Sequence, residues 1–149
     1  MTQKELNQIA RDIIKNNIYL TLATTDGENP WSAPLFYCVD DQYNFYYISQ
    51  IECSHSQHIL ENHKIAFSIF DSHAPEGKGN GVQASGKAYL LDKEKDITEA
   101  LKHYHTTFIK CEPEDFTGSK PYRLFKIVPE KFYVLDPEAE VDKRVEVQL

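Results

Sequence analysis

The spacing of apolar residues changes once near the start of the chain, from a helical period to a period of two. Four residues recur at the interval of one helix face: Leu6, Ile9, Ile13 and Ile14. This spacing predicts an amphipathic helix over residues 2–16. From Ile18 onward apolar and polar side chains alternate, which is typical of a half-buried β-strand.

Alternating stretches return along most of the remaining chain, separated by short runs of turn-forming residues. The predicted strands are 18–23, 31–39, 45–49, 64–71 and 82–92, with two or three more within 121–136 and 143–149. Because their connections are so short, we expect the first three strands to form an antiparallel meander. Gly86 interrupts the fifth strand and predicts a β-bulge or a close backbone approach.

Helical segments are few. Asp96 and Glu99 form a start signal for a second long helix, whose apolar stripe comprises Ile97, Leu101, Tyr104 and Phe108. Residues 111–116 are predicted to add a helical turn, and 72–81 to form a loop. Strands at intervals of roughly 8–12 residues favour a sandwich or a closed barrel. We predict one mainly β domain with peripheral helices (α+β) over residues 1–149.

The composition limits the partners of the chain. Its 16 basic and 23 acidic side chains give a formal net charge of −7, which disfavours a general nucleic-acid or anionic-membrane surface. Its three cysteines form no CxxC pair, so we expect buried or half-buried thiols in a reducing compartment. The sequence contains no apolar run typical of a signal peptide or membrane span. We therefore expect a soluble, cytoplasmic protein.

Residues 53–64, CSHSQHILENHK, combine a helix-start signal with three histidines. Ser54 followed by Gln57 matches a capping box, so a short helix is predicted over 55–62, directly after a strand. A helix N-terminus also attracts anions, and Ser54, His55 and Ser56 would add donors there. From the residues alone, an ordinary capped helix and an anion site both stay open.

The same histidines do not indicate a metal site or a catalytic pair. On a helix His55 and His58 share one face, but two imidazoles without carboxylate or thiolate partners at suitable spacing are poor zinc ligands. The proximity of Cys53 to His55 in sequence does not identify a nucleophile and its base. We expect no metal, and we expect His58 and His63 to be solvated.

Five stretches, taken in their order and spacing, resemble the pyridoxamine 5′-phosphate oxidase-like family of FMN-binding split β-barrels. They are LATTDGENPWSAPLFY at 22–37, FYYIS at 45–49, SHS at 54–56, NHKIAFSIFD at 62–71 and GVQASGKA at 81–88. The late YRLFKIVPEKFYVLD and RVEV are similar to the closing strands of the family. The resemblance implies an antiparallel split barrel of six or more strands, forming a homodimer with FMN at the subunit interface.

The resemblance also implies which residues contact the cofactor. The second strand would lie along the flavin ring, with Ser32, Ala33, Pro34, Leu35 and Phe36. Ser49 and the residues Ser54, His55 and Ser56 would hold the phosphate. Gln83 would reach a polar ring edge or a ribityl hydroxyl.

The chain departs from the better known relatives in its cations. Those relatives hold the phosphate with Arg and Lys, where this chain has Trp31, Phe36, His55 and Ser56. Four basic residues are candidates to compensate: Lys87, Arg123, Lys126 and Arg144. The chain also lacks the C-terminal substrate segment of true pyridoxamine 5′-phosphate oxidases, so that specific activity is not expected.

Two functions from different classes are compatible with this interpretation. The first is an FMN-dependent oxidoreductase of unknown substrate and electron donor, for which the sequence identifies no catalytic side chain. The second is a non-catalytic module of the same fold that binds or senses a flavin, haem or deazaflavin. Trp31 is expected to pack within a strand or to wall the flavin, and His103 and His105 are expected at the surface.

Overall fold

The computed structural model describes residues 1–104, 106 and 111–149, so the predictions for His105 and Phe108 lie outside the described residues. The helices are α1 (Gln3–Asn16), α2 (Ser54–Glu61) and α3 (Glu94–Leu101), with a 3₁₀ helix at Pro113–Phe116. The strands are β1 (Tyr19–Thr25), β2 (Pro30–Phe36), β3 (Cys38–Val39), β4 (Phe45–Gln50), β5 (Lys64–Phe70), β6 (Gly81–Leu91), β7 (Tyr122–Leu135) and β8 (Arg144–Val147).

The strands form one antiparallel sheet in the order β2-β1-β5-β6-β7-β4-β3, and β8 pairs with β7. The sheet curls into a split barrel, which confirms the predicted fold class. Along β1 and β6 buried and exposed side chains alternate, because successive side chains of a strand point to opposite faces. The buried set fills the barrel interior.

The predicted three-strand meander is only partly right. The first two strands do form a hairpin, with Tyr19 paired to Phe36 at one end. The predicted strand 31–39, however, divides at Tyr37 into β2 and β3. Of these, β3 pairs with β4 as the meander requires, whereas β2 is at the other end of the sheet order and β4 pairs with β7 on its second side. The Tyr37 hydroxyl donates to the Ile14 carbonyl at 2.6 Å, so this side chain is anchored beneath α1 and the chain turns to a new direction.

Helix α1 covers the barrel with Leu6, Ala10 and Ile14, which are all buried. A second apolar cluster lies beneath α3, on the other face of β4. It comprises Tyr46, Leu91, Ile97, Ala100, Phe116 and Leu124. The α3 prediction was right for the helix and wrong for both ends. The N-cap is Lys93 and not Asp96, and the helix ends at Leu101, so Tyr104 of the predicted stripe lies beyond it. His103 is partly buried against the Tyr46 ring and not at the open surface.

Gly86 confirms the prediction of a bulge and a close backbone approach. The register of the β6–β7 ladder shifts between Ser85 and Gly86. A Cβ atom added at Gly86 would collide with the Val128 carbonyl and lie 2.7 Å from the Pro129 Cα. Only glycine leaves room for β7 to cross here, and the bend helps the sheet to curl.

No helix among the described residues is long and apolar enough to cross a membrane. The three cysteines form no disulfide and are half-buried, as predicted.

Candidate functional site

Helix α2 starts one residue earlier than predicted, and it is not capped as the sequence suggested. Cys53 is the N-cap residue, and within the described chain its side chain makes no capping hydrogen bond. Gln57 donates its side-chain amide to the Ile51 carbonyl at 2.7 Å, while Ser54 is exposed. The predicted Ser54–Gln57 capping box is therefore wrong. The first N–H groups of the helix lack intrahelical acceptors and are available to an acceptor outside it.

Four polar side chains meet where β4 ends and α2 begins, and we call them the helix-start cluster: Ser49, Cys53, His55 and Ser56. The Ser49 hydroxyl and His55 Nε2 are hydrogen-bonded at 2.7 Å. The Cys53 sulfur lies 3.3 Å from both the Ser49 oxygen and His55 Nε2, and 3.1 Å from the Ser56 oxygen. Ser56 donates its hydroxyl to the Gln50 carbonyl at 2.6 Å, so mainly its backbone N–H is left for a ligand.

Burial sets the charge of this cluster. His55 is only 8% exposed, and burial, with a smaller contribution from His58, lowers the pKa of His55 below its usual 6.5. The imidazole is therefore neutral at physiological pH. His55 can exchange hydrogen bonds with an anion, but it does not supply the positive charge that the cluster would need to bind one strongly.

The other two histidines of the segment, His58 and His63, differ in their exposure to solvent. His58 Nδ1 lies 3.0 Å from the Thr24 hydroxyl, and its side chain is only 13% exposed, so the prediction that it is solvated is wrong. His58 Nε2 is 4.0 Å from the Asp26 carboxylate. Backbone N–H groups of the β1–β2 turn lower the pKa of Asp26 to about 2. His63 is exposed, as predicted.

The residues predicted to follow the flavin ring divide between the two faces of β2. Ser32 and Pro34 are exposed on the outer face, whereas Ala33 and Leu35 point into the core. Phe36 is half-buried. Ala33 and Leu35 can therefore offer only their backbone to a ligand.

Gln83 lies on the same outer face of the sheet. Antiparallel pairing places Pro34, Thr21, Ser68 and Gln83 side by side across four strands. Gln83 also borders a cavity of about 320 Å³. Helix α2 packs against β1, β2 and β6, so the predicted ring-binding strand and the predicted phosphate-binding helix are on elements in contact.

Two buried polar atoms near the helix-start cluster have no hydrogen-bond partner within the described residues: the Tyr47 hydroxyl and Arg123 Nε. Tyr47 is two residues before Ser49, and its ring centroid lies 6.4 Å from that of His55. Arg123 is paired directly opposite Ser49 in the β4–β7 ladder. Unpaired buried donors are costly, so this end of the barrel fits a group that brings acceptor oxygens, such as a phosphate.

Of these two residues, the sequence indicates Arg123 as one of four candidate phosphate-binding cations and indicates no role for Tyr47. Period-two alternation places Tyr47 and Ser49 on one face of a strand, and this signal was present in the sequence. The pairing of Arg123 with Ser49 has no local signal, because the two residues are far apart along the chain. No group of three or more His, Cys, Asp or Glu side chains within the described segments is arranged to hold a metal.

Comparisons with known proteins agree with this architecture. The chain is similar to the UPF0306 protein plu4501 of Photorhabdus laumondii, with 27% identity over 97 residues that cover 64% of this chain and 68% of the relative. General Stress Protein 26 from Bacillus anthracis superposes with a TM-score of 0.64 at 20% identity, over 95% of this chain and 99% of the other. A heme binding protein from Mycobacterium smegmatis gives 0.69 at 12% identity, over 97% and 58%.

The family comparison covers most of the barrel. A sequence model described as Pyridoxamine 5′-phosphate oxidase matches residues 6–136, which runs from α1 to the residue after β7. A candidate pyridoxamine 5′-phosphate oxidase from Listeria innocua has the same fold, with a TM-score of 0.67 at 18% identity over 87% of this chain and 98% of the other. The chain belongs to the pyridoxamine 5′-phosphate oxidase family.

Proposed function

We propose that the protein is a flavoprotein that binds FMN at a homodimer interface and acts as an oxidoreductase. The observation that carries the proposal is the helix-start cluster, which lies beside an α2 N-terminus without a side-chain cap. A phosphate at pH 7 carries about −1.5 to −2 charges and three acceptor oxygens. The positive end of a helix and its free N–H groups suit such a group.

In this proposal the phosphate contacts come from the residues around the first turn of α2. Ser54 is exposed and can donate its hydroxyl directly. The backbone N–H groups of Ser54, His55 and Ser56 point out of the helix end. Ser49 and His55 already share a hydrogen bond of 2.7 Å, so each orients the other toward the ligand.

The ring would lie along the outer face of β2, from Ser32 to Phe36, with Gln83 hydrogen-bonding its polar edge or the ribityl chain. Tyr19 is 57% exposed and Trp31 50% exposed on the β1–β2 hairpin. Large aromatic side chains are enriched at protein interfaces, so this exposure supports a second subunit over the hairpin. The bound flavin would supply the electron-transfer chemistry, while the residues of the chain bind it, orient it and leave one face for substrate.

The test uses purified protein. We expect a yellow preparation with the visible absorption bands of oxidised flavin. NADH or NADPH should bleach these bands when no acceptor is present, and should be oxidised steadily when an electron acceptor is added. Colourless protein that also fails to take up added FMN would refute the proposal. Sedimentation should give a dimer.

Cysteines without a disulfide fit a reducing compartment, which supports a location in the cytoplasm.

A second candidate is a non-catalytic module for a flavin, haem or deazaflavin. It is favoured by one observation, the similarity in fold to a heme binding protein. One observation argues against haem ligation at the helix start, since His55 Nε2 is already hydrogen-bonded to Ser49. Titration with haem distinguishes the two: a Soret band that shifts in His58→Ala or His55→Ala supports the module, and bound flavin without turnover supports a flavin sensor.

A further inference from the structure

The proposed phosphate site lacks a cation on α2 and β2. His55 is neutral because it is buried, and the neighbouring positions hold hydroxyl, thiol and aromatic side chains. A doubly charged phosphate is bound much more strongly by charge-assisted hydrogen bonds than by neutral donors. A basic side chain from elsewhere in the barrel would strengthen such a site, and the structure distinguishes among the four candidates.

All four candidates contact another group, so their positions distinguish them. Lys87 Nζ lies 3.9 Å from the Glu130 carboxylate. Lys126 Nζ lies 5.9 Å from the centroid of the Tyr46 ring, on the face of β4 that carries the α3 cluster. Arg144 donates to the Gly81 carbonyl at 3.1 Å.

Arg123 is placed differently. It is directly opposite Ser49, and directly paired residues of an antiparallel ladder project from the same face, with Cβ atoms about 5 Å apart. The next pair on this face, Tyr47 and Phe125, shows the alignment, since their rings stack at 5.1 Å with an interplanar angle of 3°. The arginine stem therefore leaves β7 on the face that carries the helix-start cluster.

The guanidinium of Arg123 makes few hydrogen bonds within the described part of the chain. Its Nε is buried and has no partner, and Nη1 makes a long contact of 3.4 Å to the Gly118 carbonyl. The fully buried Tyr47 hydroxyl is a second, independent unpartnered donor on this face. Burial raises the pKa of Tyr47 well above 10, so the hydroxyl keeps its proton and remains a donor.

We propose that Arg123 is the phosphate-binding cation of this chain, acting with Ser49 and the first turn of α2 to select FMN over unphosphorylated riboflavin. The inference rests on the proposed FMN-binding function. A planar guanidinium offers two parallel N–H groups to one phosphate, and the buried Nε of Arg123 is a donor of that fork. The cation thus comes from β7, whereas the better known relatives supply it near the second strand.

The experiment compares FMN and riboflavin as ligands of the apoprotein, with flavin fluorescence as the readout. The wild type is expected to bind FMN more tightly than riboflavin. Arg123→Ala is expected to weaken FMN binding about 10- to 100-fold, the usual range for a lost charged hydrogen bond, with riboflavin affinity unchanged. Arg123→Lys should recover part of the preference. Lys87→Ala, which removes an exposed cation paired with Glu130, is the matched control and should retain the full preference.

The outcomes separate the two proposals. If Arg123→Ala keeps the FMN preference of the wild type, the assignment of Arg123 is overturned and FMN binding stands. If the wild type binds neither flavin, or binds both equally, the phosphate site and the Arg123 assignment both fail. Should Arg123→Ala not fold, Arg123→Gln keeps the side chain as far as Cδ and removes the charge. Its folding is checked by circular dichroism, and the same comparison of FMN with riboflavin decides.

Discussion

Gly86 allows a direct test of how closely β6 and β7 approach each other. In Gly86→Ala the new Cβ would lie 2.7 Å from the Pro129 Cα and 3.1 Å from the Glu130 nitrogen, and still closer to the Val128 carbonyl oxygen. All three neighbours are backbone atoms of a paired strand, so no side-chain rotation can relieve the collision. The ladder itself must shift.

The change in the free energy of unfolding of Gly86→Ala is the sum of two opposing effects. Replacing glycine by alanine reduces the entropy of the unfolded chain and stabilises by about 0.4–1 kcal/mol where the site has room. Overpacking a tight site costs about 1–3 kcal/mol and sometimes more. Because the collision at Gly86 is with backbone, the cost should dominate. We expect a loss of about 1–3 kcal/mol, or roughly 2–12 °C in Tm at about 2–4 °C per kcal/mol for a chain of this size.

The assay is urea and thermal unfolding followed by circular dichroism, with Gly79→Ala as the matched control. A Cβ at Gly79 would meet only the Ala74 Cβ, at an ordinary 3.8 Å, so this variant should be as stable as the wild type or slightly more so. If Gly86→Ala is as stable as Gly79→Ala, the close crossing of β6 and β7 is not present in the protein.

Three further predictions concern buried polar groups. Tyr37→Phe removes the donor to the Ile14 carbonyl at 2.6 Å and should lower the free energy of unfolding by about 1–3 kcal/mol. Tyr47→Phe removes a buried hydroxyl that has no partner in the described structure, and should leave the ligand-free protein unchanged or more stable. For His55 the folded pKa is lowered from 6.5, so acid favours the unfolded state, which binds the proton more readily. The stability advantage of the wild type over His55→Gln should therefore shrink as pH falls from 6.5 to the folded pKa.

Chemical denaturation measures the free energy of unfolding of each variant, and one result for each would contradict the prediction. A neutral Tyr37→Phe would mean that water replaces the hydroxyl at the end of α1. A strongly destabilised Tyr47→Phe would mean that the hydroxyl already has a partner in the free protein. For His55→Gln, the free energy of unfolding of both proteins is measured from about pH 7.5 to about pH 5, a range that brackets the usual histidine pKa. A wild-type advantage that stays constant over this range would mean that the imidazole is not buried in its neutral form.

Local patterns in the sequence predicted the individual elements well. Alternation located β1, β5 and β6, and Gly86 indicated the bulge because glycine within a strand has no side chain to pack and lets another backbone come close. The alternation of apolar and polar residues does not predict which strands pair with each other. The β4–β7 ladder joins residues 45–50 to 122–127, and its register depends on the whole sheet, so the predicted meander missed this pairing.

The arrangement of the candidate site was predictable to the same degree. Ser49 and His55 were assigned from the family resemblance, and the structure shows them hydrogen-bonded. The capping box failed because Cys53 takes the N-cap position and Ser56 bonds a carbonyl of the preceding turn. His58 was placed in solvent because its partner, Thr24, belongs to a strand whose position relative to α2 is a tertiary property.

A crystal structure of the protein grown with FMN tests the central claim most directly. We predict a dimer with the flavin phosphate at the first turn of α2, within hydrogen-bonding distance of Ser54 and the Arg123 guanidinium, and the ring along the outer face of β2. A monomer, or a flavin whose phosphate lies away from α2, would contradict the account.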